Sequence, residues 1–514
     1  MRTRRILTAG VLAACLLASE WSFRGPIPTA AAATSPSRPN IVIIVADDMG
    51  WRDVGYHGSE IRTPNIDALA AQGVNLDRFY VQPTCSPTRA ALLTGRSAMR
   101  LGVTQPLSKL APTGLPIGET LLPQYLKSAG YQTFMAGKWH LGSRQRAYLP
   151  NARGFDHFYG YVSGGIGYWD HVHGGGLDWQ RDGRTLREEG YSTTLLANEA
   201  IRLIEGRDTA KPMLLYAAFG APHLPNEAPP EAIARYADIA NPYRRTHAAM
   251  VSELDAAIGR VVGALEAQGI LDNTIIWFMS DNGGLLAAPP PPIPPLRAVA
   301  AMEASIGMKL TPRFMEFLRV NSVEGGSDNR PLKGDKATVQ EGGARVPAIV
   351  SWRGRLTPRT STQMVTVQDV LPTLLRAASL RPAQNLDGRD MWAAIRHGRS
   401  QPVSDYVIQA TKGGAQDEAI YRYPWKLIRK AGAPQALYNV AIDPTEDTDL
   451  ADRHPEIVKA LSAALTAFPR GPSTQVSIQE AVRDPDFFGG AEDRPPWADT
   501  VTETATGGSE KRSK

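Results

Sequence analysis

The residues best suited to chemistry lie in one segment, Cys85-Ser86-Pro87-Thr88-Arg89. Ser86 suits a helix N-cap and Pro87 the first helical position, which would place Cys85 at the positive end of a helix. Arg89 follows Cys85 by four residues and would face the same side of that helix. We therefore expect a reactive thiol with a lowered pKa; the alternative is a buried cysteine beside a structural arginine.

Two pairs of oxygen-bearing side chains follow apolar runs, Asp47-Asp48 and Asp281-Asn282. Adjacent carboxylates repel each other unless a cation lies between them. Three carboxylates and one amide oxygen are hard donors, which suit Ca²⁺ far better than Zn²⁺. The alternatives are a turn in which one aspartate caps the next helix, and an Asx turn before Gly283-Gly284.

Basic side chains form a third group of candidates. Lys138 and His140 lie two residues apart after an apolar run, and in an extended chain they would share a face. His223 follows another apolar run, where the alternative is an ordinary turn residue. For Lys138 and His140 the alternatives are a surface lysine and a capping histidine. Lys336 carries no signal of its own.

The elements that must position these residues alternate along the chain. Continuous apolar runs typical of strands buried on both faces cover residues 41–46, 132–136, 213–219, 274–279 and 347–352. Helical periodicity lies between them, around residues 66–70, 121–126 and 250–265. This alternation predicts an α/β fold with a large, mainly parallel or mixed sheet flanked by helices, whose site lies beyond the carboxyl ends of the strands.

The pattern also predicts domain boundaries. We expect residues 38–400 to form a catalytic α/β domain, with an insertion at 285–327 that is either a lid or a surface insertion without function. Four short strands and a helix in residues 401–470 predict a small C-terminal antiparallel sheet with one helix. Residues 471–514 are polar and rich in Pro and Gly, and we expect an irregular, partly disordered tail.

The N-terminal segment is typical of an export signal. Three arginines among the first five residues precede an apolar run from Ile6 to Ala18, and small residues follow at Ala30 to Ala33. We expect residues 1–34 to be a signal peptide and the protein to be exported to the periplasm or the extracellular space. The apolar run is too short to span a bilayer comfortably, and no other segment has the pattern of a transmembrane segment.

Cys15 and Cys85 are the two cysteines of the chain. Leu12-Ala13-Ala14-Cys15 resembles a lipobox, in which Cys15 would carry a lipid anchor; the alternative is a cysteine within a cleaved signal peptide. If the signal is removed, Cys85 is alone and no internal disulfide can form. The formal net charge is +5 without a run of Lys or Arg, so we expect no nucleic-acid partner.

The twelve residues from Cys85 to Arg96 resemble the sulfatase signature, cysteine-x-proline-x-arginine followed by Leu-Thr-Gly-Arg. The resemblance extends over most of residues 38–450, including Tyr438 to Glu446, and is greatest to the arylsulfatase and N-acetylgalactosamine-sulfatase branch of the formylglycine-dependent type I sulfatases. It implies an alkaline-phosphatase-like fold and a sulfuric ester hydrolase. It also implies that Cys85 is oxidised to formylglycine by a formylglycine-generating enzyme.

The resemblance assigns roles to each candidate. The implied catalytic residues are Cys85, Arg89, Lys138, His140, His223 and Lys336. The implied substrate-binding residues are Lys138, His223, Lys336 and Ser163. The implied calcium ligands are Asp47, Asp48, Cys85, Asp281 and Asn282.

The implied reaction uses the hydrated aldehyde at position 85. One of its hydroxyls, bound to calcium and deprotonated by Asp281, attacks the sulfur atom, and His223, with Lys336, protonates the leaving alcohol. His140 takes the proton of the second hydroxyl, which releases sulfate and restores the aldehyde. The expected substrate is a small aryl or sugar sulfate. The alternatives are a phosphonate monoester or phosphodiester hydrolase of the same superfamily, a non-catalytic binder of sulfated glycans, and a transferase to alcohols.

Overall fold

The computed structural model describes residues 38–109, 111–173, 176–286, 325–381, 385–412 and 415–474. The predicted signal peptide with Cys15, residues 287–324 of the predicted insertion and residues 475–514 of the predicted C-terminal tail lie outside these residues, and they stay predictions. No helix in these ranges has both the length and the hydropathy that a membrane crossing needs.

The described residues contain eighteen strands, eleven α-helices and six short 3₁₀ helices. The strands are β1 (Asn40–Ala46), β2 (Val74–Leu76), β3 (Phe79–Tyr80), β4 (Gln132–Lys138), β5 (His157–Tyr161), β6 (Val172–His173), β7 (Gly176–Leu177), β8 (Gln180–Arg181), β9 (Arg184–Thr185), β10 (Met213–Ala218), β11 (Thr274–Ser280), β12 (Ala348–Ser351), β13 (Arg359–Ser361), β14 (Val365–Thr366), β15 (Tyr406–Lys412), β16 (Ala415–Arg422), β17 (Trp425–Arg429) and β18 (Ala436–Asn439). The helices are α1 (Pro64–Gln72), α2 (Cys85–Thr94), α3 (Ala98–Leu101), α4 (Leu122–Ser128), α5 (Ser192–Glu205), α6 (Pro230–Ala234), α7 (Pro242–Ala267), α8 (Glu341–Ala344), α9 (Val370–Ala377), α10 (Trp392–His397) and α11 (Pro455–Ala467).

The main sheet has ten strands in the order β13-β2-β12-β11-β1-β10-β4-β5-β8-β9. Its centre is parallel, because β1 pairs in parallel with β10 and β11, and β4 pairs in parallel with β10 and β5. Strand β12 runs antiparallel to β11, and β8 antiparallel to β5. The predicted class, a large mixed sheet with a mainly parallel centre, is confirmed.

The central strands are buried on both faces, as their apolar runs predict. Every residue of β1 is buried, and its side chains alternate between two hydrophobic cores. Ile41, Ile43 and Val45 pack into the core that contains α2 and α9, whereas Val42 and Ile44 pack into the core that contains α1, α5 and α7. The sheet is therefore a rigid middle layer between two layers of helices.

The longest helix of the described residues, α7, begins earlier than the periodicity over 250–265 indicates. Its first turns are polar and half-buried, and burial begins at His247, so periodicity alone misses them. Asn241 is the N-cap, and its Oδ1 accepts hydrogen bonds from the amides of Tyr243 and Arg244 at 2.8 and 3.0 Å. The chain leaves the helix before Gly269, whose φ of +66° favours glycine.

The C-terminal part forms the predicted small antiparallel sheet, in the order β15-β16-β17-β18. Side chains of β15–β18 and α11 share a hydrophobic core that includes Leu427 and Leu465. The boundary at residue 400 stays a prediction.

The two ends of the predicted insertion at 285–327 meet in the structure. The Ser327 amide donates a hydrogen bond to Leu285 O at 3.1 Å, and Leu286 and Ser327 form a parallel bridge. Residues 287–324 lie outside the described part of the chain, so the choice between a lid and a surface insertion stays open.

Candidate active site

Strands β1 and β11 end side by side and deliver the two acidic pairs to one place. Ala46 pairs with Ser280, so Asp47 and Asp281 follow at the same edge of the sheet. The Asp281 amide donates to Ala46 O at 3.0 Å, and the Asp48 amide donates to Asp281 Oδ1 at 3.3 Å. Asp48 has a φ of +67°, which is uncommon for a residue with a side chain and marks a tight turn.

Helix α2 begins at Cys85, as expected for a helix N-terminus, but its cap differs from the prediction. Thr84, rather than Ser86, precedes the first helical residue, so Pro87 is the third helical residue. Ser86 instead makes long-range contacts: its Oγ donates to His140 O at 2.8 Å and accepts from the Leu107 amide at 2.9 Å. The serine therefore fixes the helix against neighbouring loops.

The predicted lowering of the Cys85 pKa is wrong. The side chain is 2% exposed, and burial raises the pKa of its thiol above the ordinary value. The positive charges of Lys138 and Lys336 act in the opposite direction, but Asp47 and Asp281 raise the pKa further. The unmodified residue is thus a protonated thiol at neutral pH, which is a weak nucleophile.

Arg89 faces the Cys85 side of α2, as its spacing predicts, and binds an acidic residue there. Its Nε and Nη2 donate to Asp281 Oδ2 at 3.0 and 2.8 Å, and its Nη1 donates to Lys138 O at 2.8 Å. Arg89 and Asp281 are completely buried. The guanidinium therefore joins the end of β11 to the end of β4.

Two lysines pair with the first acidic pair. Lys138 Nζ lies 2.6 Å from Asp47 Oδ2, and Lys336 Nζ lies 2.7 Å from Asp48 Oδ2. His223 Nε2 lies 3.7 Å from Asp48 Oδ2, while its Nδ1 lies 2.6 Å from Leu224 O. Burial alone would raise the pKa of Asp48, but Lys336 and His223 hold it well below its ordinary range.

Lys138 and His140 both lie near the acidic pairs. The prediction that they share a face of an extended chain, however, is wrong. Strand β4 ends at Lys138, and His140 has a φ of +59°. Burial and the charges of Lys138 and Arg89 keep the pKa of His140 well below its ordinary value, so the ring is neutral. Nε2 lies 3.0 Å from Leu107 O and must carry the proton, which leaves Nδ1 as a buried acceptor without a hydrogen-bond partner among the described residues.

Ser163 lies in the loop after β5. Its amide donates to Asp178 Oδ2 at 2.8 Å, and its Oγ lies 3.3 Å from Gly165 O. The next residue, Gly164, lies against His140 so closely that an added Cβ would be 2.8 Å from the ring. The loop therefore borders the site, while the hydrogen bonds of Ser163 stay within the loop and to Asp178.

His173 also lies beside this group, and no sequence motif identifies it. Its Nδ1 hydrogen bonds to Gly165 O, and a Cβ on Gly165 would lie 3.1 Å from the His223 ring. Burial lowers the pKa of His173 to about 3. The β6–β7 hairpin brings this residue to the site from a part of the chain without helical or strand periodicity.

The oxygen donors fit a hard divalent cation. Asp47 Oδ1 and Asn282 Oδ1 are buried and have no hydrogen-bond partner among the described residues. Donor atoms of Asp47, Cys85 and Asp281 lie within 4.8 Å of one another. Burial, and then the neighbouring Asp47, raise the pKa of Asp281 to about 6, as expected where carboxylates crowd together. Unpartnered carboxylate and amide oxygens are ligands that Ca²⁺ prefers.

Comparison with known proteins gives a consistent assignment. The family model described as Sulfatase matches residues 39–380. Arylsulfatase J of Mus musculus is 33% identical over 509 residues, which cover 87% of this chain and 78% of that protein. N-acetylgalactosamine-6-sulfatase of Sus scrofa is 33% identical over 411 residues, which cover 74% of this chain and 71% of that protein.

A solved structure agrees with these relatives. The crystal structure of Ps i-CgsB in complex with k-i-k-neocarrahexaose has a TM-score of 0.74 and 29% identity, and the match covers 87% of this chain and 97% of that one. The resemblance and the alkaline-phosphatase-like fold class predicted from the sequence are confirmed. The chain therefore belongs to the sulfatase family of sulfuric ester hydrolases.

Proposed function

We propose that the protein hydrolyses sulfate monoesters of aryl or carbohydrate alcohols, with Cys85 converted to formylglycine and with Ca²⁺ held by Asp47, Asp48, Asp281 and Asn282. One observation carries the proposal. Cys85 lies at the start of α2 with its sulfur within 4.8 Å of donor atoms of Asp47 and Asp281, so position 85 adjoins the oxygen donors.

When present, formylglycine would supply a hydrated aldehyde as nucleophile, and Ca²⁺ would supply a Lewis acid beside it. Lys138 brings a buried positive charge and Lys336 a partly buried one to the same place, each within hydrogen-bond distance of an aspartate. Such charges stabilise the oxygens of a sulfate group as negative charge develops on them. Arg89 orients Asp281 and the Lys138 backbone, and so keeps these charges in position.

The two histidines suit two different proton transfers. His140 has a buried, unpartnered Nδ1, which can accept a proton from a hydroxyl at position 85. His223 directs Nε2 towards Asp48, next to Lys336. Burial and the charge of Lys336 lower the pKa of His223 to about 3, and its Nδ1 faces Leu224 O, so the neutral ring carries no proton on Nε2. We infer that Nε2 takes up a proton when the anionic sulfate group binds and then passes it to the leaving alcohol. Asp281 is the base that we propose for the attacking hydroxyl, because it is grouped with Cys85.

The substrate class follows from the relatives and from the charge of the site. The relatives are named as an arylsulfatase and an N-acetylgalactosamine-6-sulfatase, and the Ps i-CgsB structure is a complex with k-i-k-neocarrahexaose. We infer a small aryl or sugar sulfate as substrate for this chain. We further infer export, for which residues 1–34 supply the signal. A formylglycine-generating enzyme must act before folding, because Cys85 is buried in the folded chain.

The test is to prepare the protein with a formylglycine-generating enzyme and calcium. Mass spectrometry of the Cys85 peptide should show replacement of CH₂SH by CHO, and the enzyme should hydrolyse an aryl sulfate faster than an aryl phosphodiester. Cys85→Ser and Cys85→Ala should remain folded and lose multiple-turnover activity by about 10⁴-fold or more. The control is an unchanged thermal melting curve for each variant.

Four outcomes would contradict the proposal. Full activity in Cys85→Ser would exclude the aldehyde as nucleophile. A higher rate on the phosphodiester would favour a phosphonate monoester or phosphodiester hydrolase. Sulfated-sugar binding without turnover would favour a non-catalytic glycan binder. Transfer of the sulfuryl group to an added alcohol as the main product would favour a transferase.

A further inference from the structure

We propose that the C-terminal sheet positions Lys336, through a buried ion-pair network centred on Lys426 of β17. This inference rests on the proposed function, because it takes Lys336 as a cation that contacts the sulfate group. It adds a structural role for the C-terminal sheet, whose described residues contribute no side chain to the site itself. The network consists of Lys426, Glu341 and Glu446, with Tyr80 and Tyr421.

Lys426 is completely buried between two carboxylates from different parts of the chain. Its Nζ lies 3.0 Å from Glu341 Oε1 and 2.7 Å from Glu446 Oε1. Glu341 is the first residue of α8, and Glu446 lies in the loop after β18. The start of α8 and this loop therefore both contact strand β17 of the C-terminal sheet, through Lys426. A buried charge persists only when its partners are fixed, and loss of one partner is costly.

Further hydrogen bonds join the members of the network. Tyr80 Oη donates to Glu341 Oε2 at 2.8 Å, and Tyr421 Oη donates to Glu341 Oε1 at 3.0 Å. The Glu341 amide donates to Glu446 Oε2 at 3.0 Å. Lys426 Nζ also lies 4.9 Å from the centre of the Tyr421 ring, a cation–π contact. The first turn of α8 is therefore held at a fixed distance from the C-terminal sheet.

Backbone groups at or next to the same two glutamates contact the start of the Lys336 loop, residues 333–338. The Glu446 carbonyl accepts a hydrogen bond from Lys333 Nζ at 2.9 Å. The amide of Gly342, next to Glu341, donates to Lys333 O at 2.6 Å. An added Cβ on Gly342 would lie 2.5 Å from Gly334 O, which leaves the loop no room to shift towards α8.

The Lys336 loop also contacts segments next to the candidate site. The Lys336 amide donates to Gly284 O at 3.2 Å, and the Ala337 amide donates to Pro83 O at 2.9 Å. Gly284 follows the Asp281-Asn282 pair, and Pro83 precedes Cys85 by two residues. The loop is thus held between the site and the network, and Lys336 Nζ reaches Asp48 from that position. A displacement of about 1 Å at such a group can reduce a rate about 10²-fold.

The test is Glu446→Gln, which keeps the shape of the side chain and removes its charge from Lys426. With the aldehyde-bearing, calcium-loaded protein we expect about a tenfold loss of kcat/KM on an aryl sulfate, and a weaker affinity for inorganic sulfate measured by calorimetry. In a Lys336→Ala background, Glu446→Gln should cause little further loss of sulfate affinity, because its effect passes through Lys336.

The matched control is Glu199→Gln. Glu199 is equally buried, with its carboxylate 2.6 Å from His157 Nε2 and 3.1 Å from Arg181 Nη2, and none of its described contacts is with the site residues. Glu199→Gln should reduce stability yet leave kcat, KM and sulfate affinity unchanged. If Glu446→Gln does not fold, Tyr421→Phe removes a single hydrogen bond to Glu341 and should reduce kcat/KM about threefold in the same direction.

The outcomes separate this inference from the proposed function. A wild-type protein without sulfatase turnover overturns the proposed function. A wild-type protein that turns over, with Glu446→Gln and Tyr421→Phe unchanged in kcat/KM and sulfate affinity, overturns only the positioning role. Additive losses of sulfate affinity in the Glu446→Gln, Lys336→Ala pair would likewise contradict it.

Discussion

Arg89 shows what one side chain contributes that a similar one cannot. Its guanidinium donates two hydrogen bonds to Asp281 Oδ2 and one to Lys138 O, and both Arg89 and Asp281 are fully buried. A lysine keeps the charge but cannot reach both groups from one position. We expect Arg89→Lys to reduce kcat/KM on an aryl sulfate by about 10²-fold or more, because Asp281 and β4 lose their common support. Steady-state kinetics on protein with a measured aldehyde content checks this.

The control for this prediction is Arg153→Lys. Arg153 is also buried, and its guanidinium donates to Leu115 O at 2.9 Å and to Glu119 O at 3.1 Å, neither of which is a candidate site residue. This variant should lower the melting temperature with kcat/KM unchanged. Equal kinetic losses in both variants would show that Arg89 serves the fold rather than the site.

At the residue scale, the sequence predicts which residue types gather but not their protonation or backbone geometry. The strand ends deliver the two acidic pairs together, as parallel topology requires. The pKa of Cys85 could not be predicted, because burial outweighs the helix end and burial depends on the whole fold. The φ of His140 and the role of Ser86 depend on contacts with Leu107 and other distant residues, which leave no local signal.

At the element scale, Glu199 joins α5 to the edge of the sheet. Burial opposes its charge, but hydrogen bonds from Arg202, His157 and Arg181 hold its pKa below the ordinary 4.5. Burial also opposes the charge of His157, yet Asp182 and Glu199 raise its pKa above 6.5. A lowered acid pKa stabilises the fold above pH 4.5, and a raised histidine pKa stabilises it below pH 6.5, so both contributions are complete only between these values.

Glu199→Gln should therefore reduce the free energy of unfolding by about 2 kcal/mol between pH 4.5 and 6.5. The difference from the wild type should shrink as pH rises through the raised pKa of His157, which then loses its proton. It should also shrink in acid, where Glu199 is protonated. Urea unfolding followed by circular dichroism at several pH values measures it, and a difference independent of pH would contradict the assignment.

Elements differ in how well the sequence predicts them. Long strands such as β1 and β11 are predicted because all seven residues of each are buried and most of them are consecutive apolar residues. Strands β6 to β9 have two residues each, too few for a period, and tertiary contacts alone define them. The direction of β12 is likewise unpredictable, since an apolar run reads the same in either orientation.

At the scale of the whole molecule, the site is an assembly of distant segments. The ends of β1, β4, β10 and β11 meet the start of α2, and the C-terminal sheet supports the Lys336 loop from outside. Residues that contact each other are separated by more than two hundred positions, as for Asp48 and Lys336. The free energy of holding these segments together is therefore part of the stability of the entire fold.

A bound cation should then stabilise the whole fold, because its proposed ligands follow the two central strands β1 and β11. Calcium at about 100 times its dissociation constant adds about 2.7 kcal/mol to the free energy of unfolding, provided that the unfolded chain does not bind it. We expect calcium to raise the melting temperature of the chelator-treated protein. We expect Asp47→Asn to abolish the rise, because Asp47 Oδ1 has no hydrogen-bond partner among the described residues and can bind the ion.

The control is Asp255→Asn. The buried Asp255 carboxylate accepts hydrogen bonds from the amides of Asn65 and Ile66 at 3.0 and 2.8 Å, and its loss lowers stability without removing the calcium response. An equal calcium response in Asp47→Asn and the wild type would place the ion elsewhere.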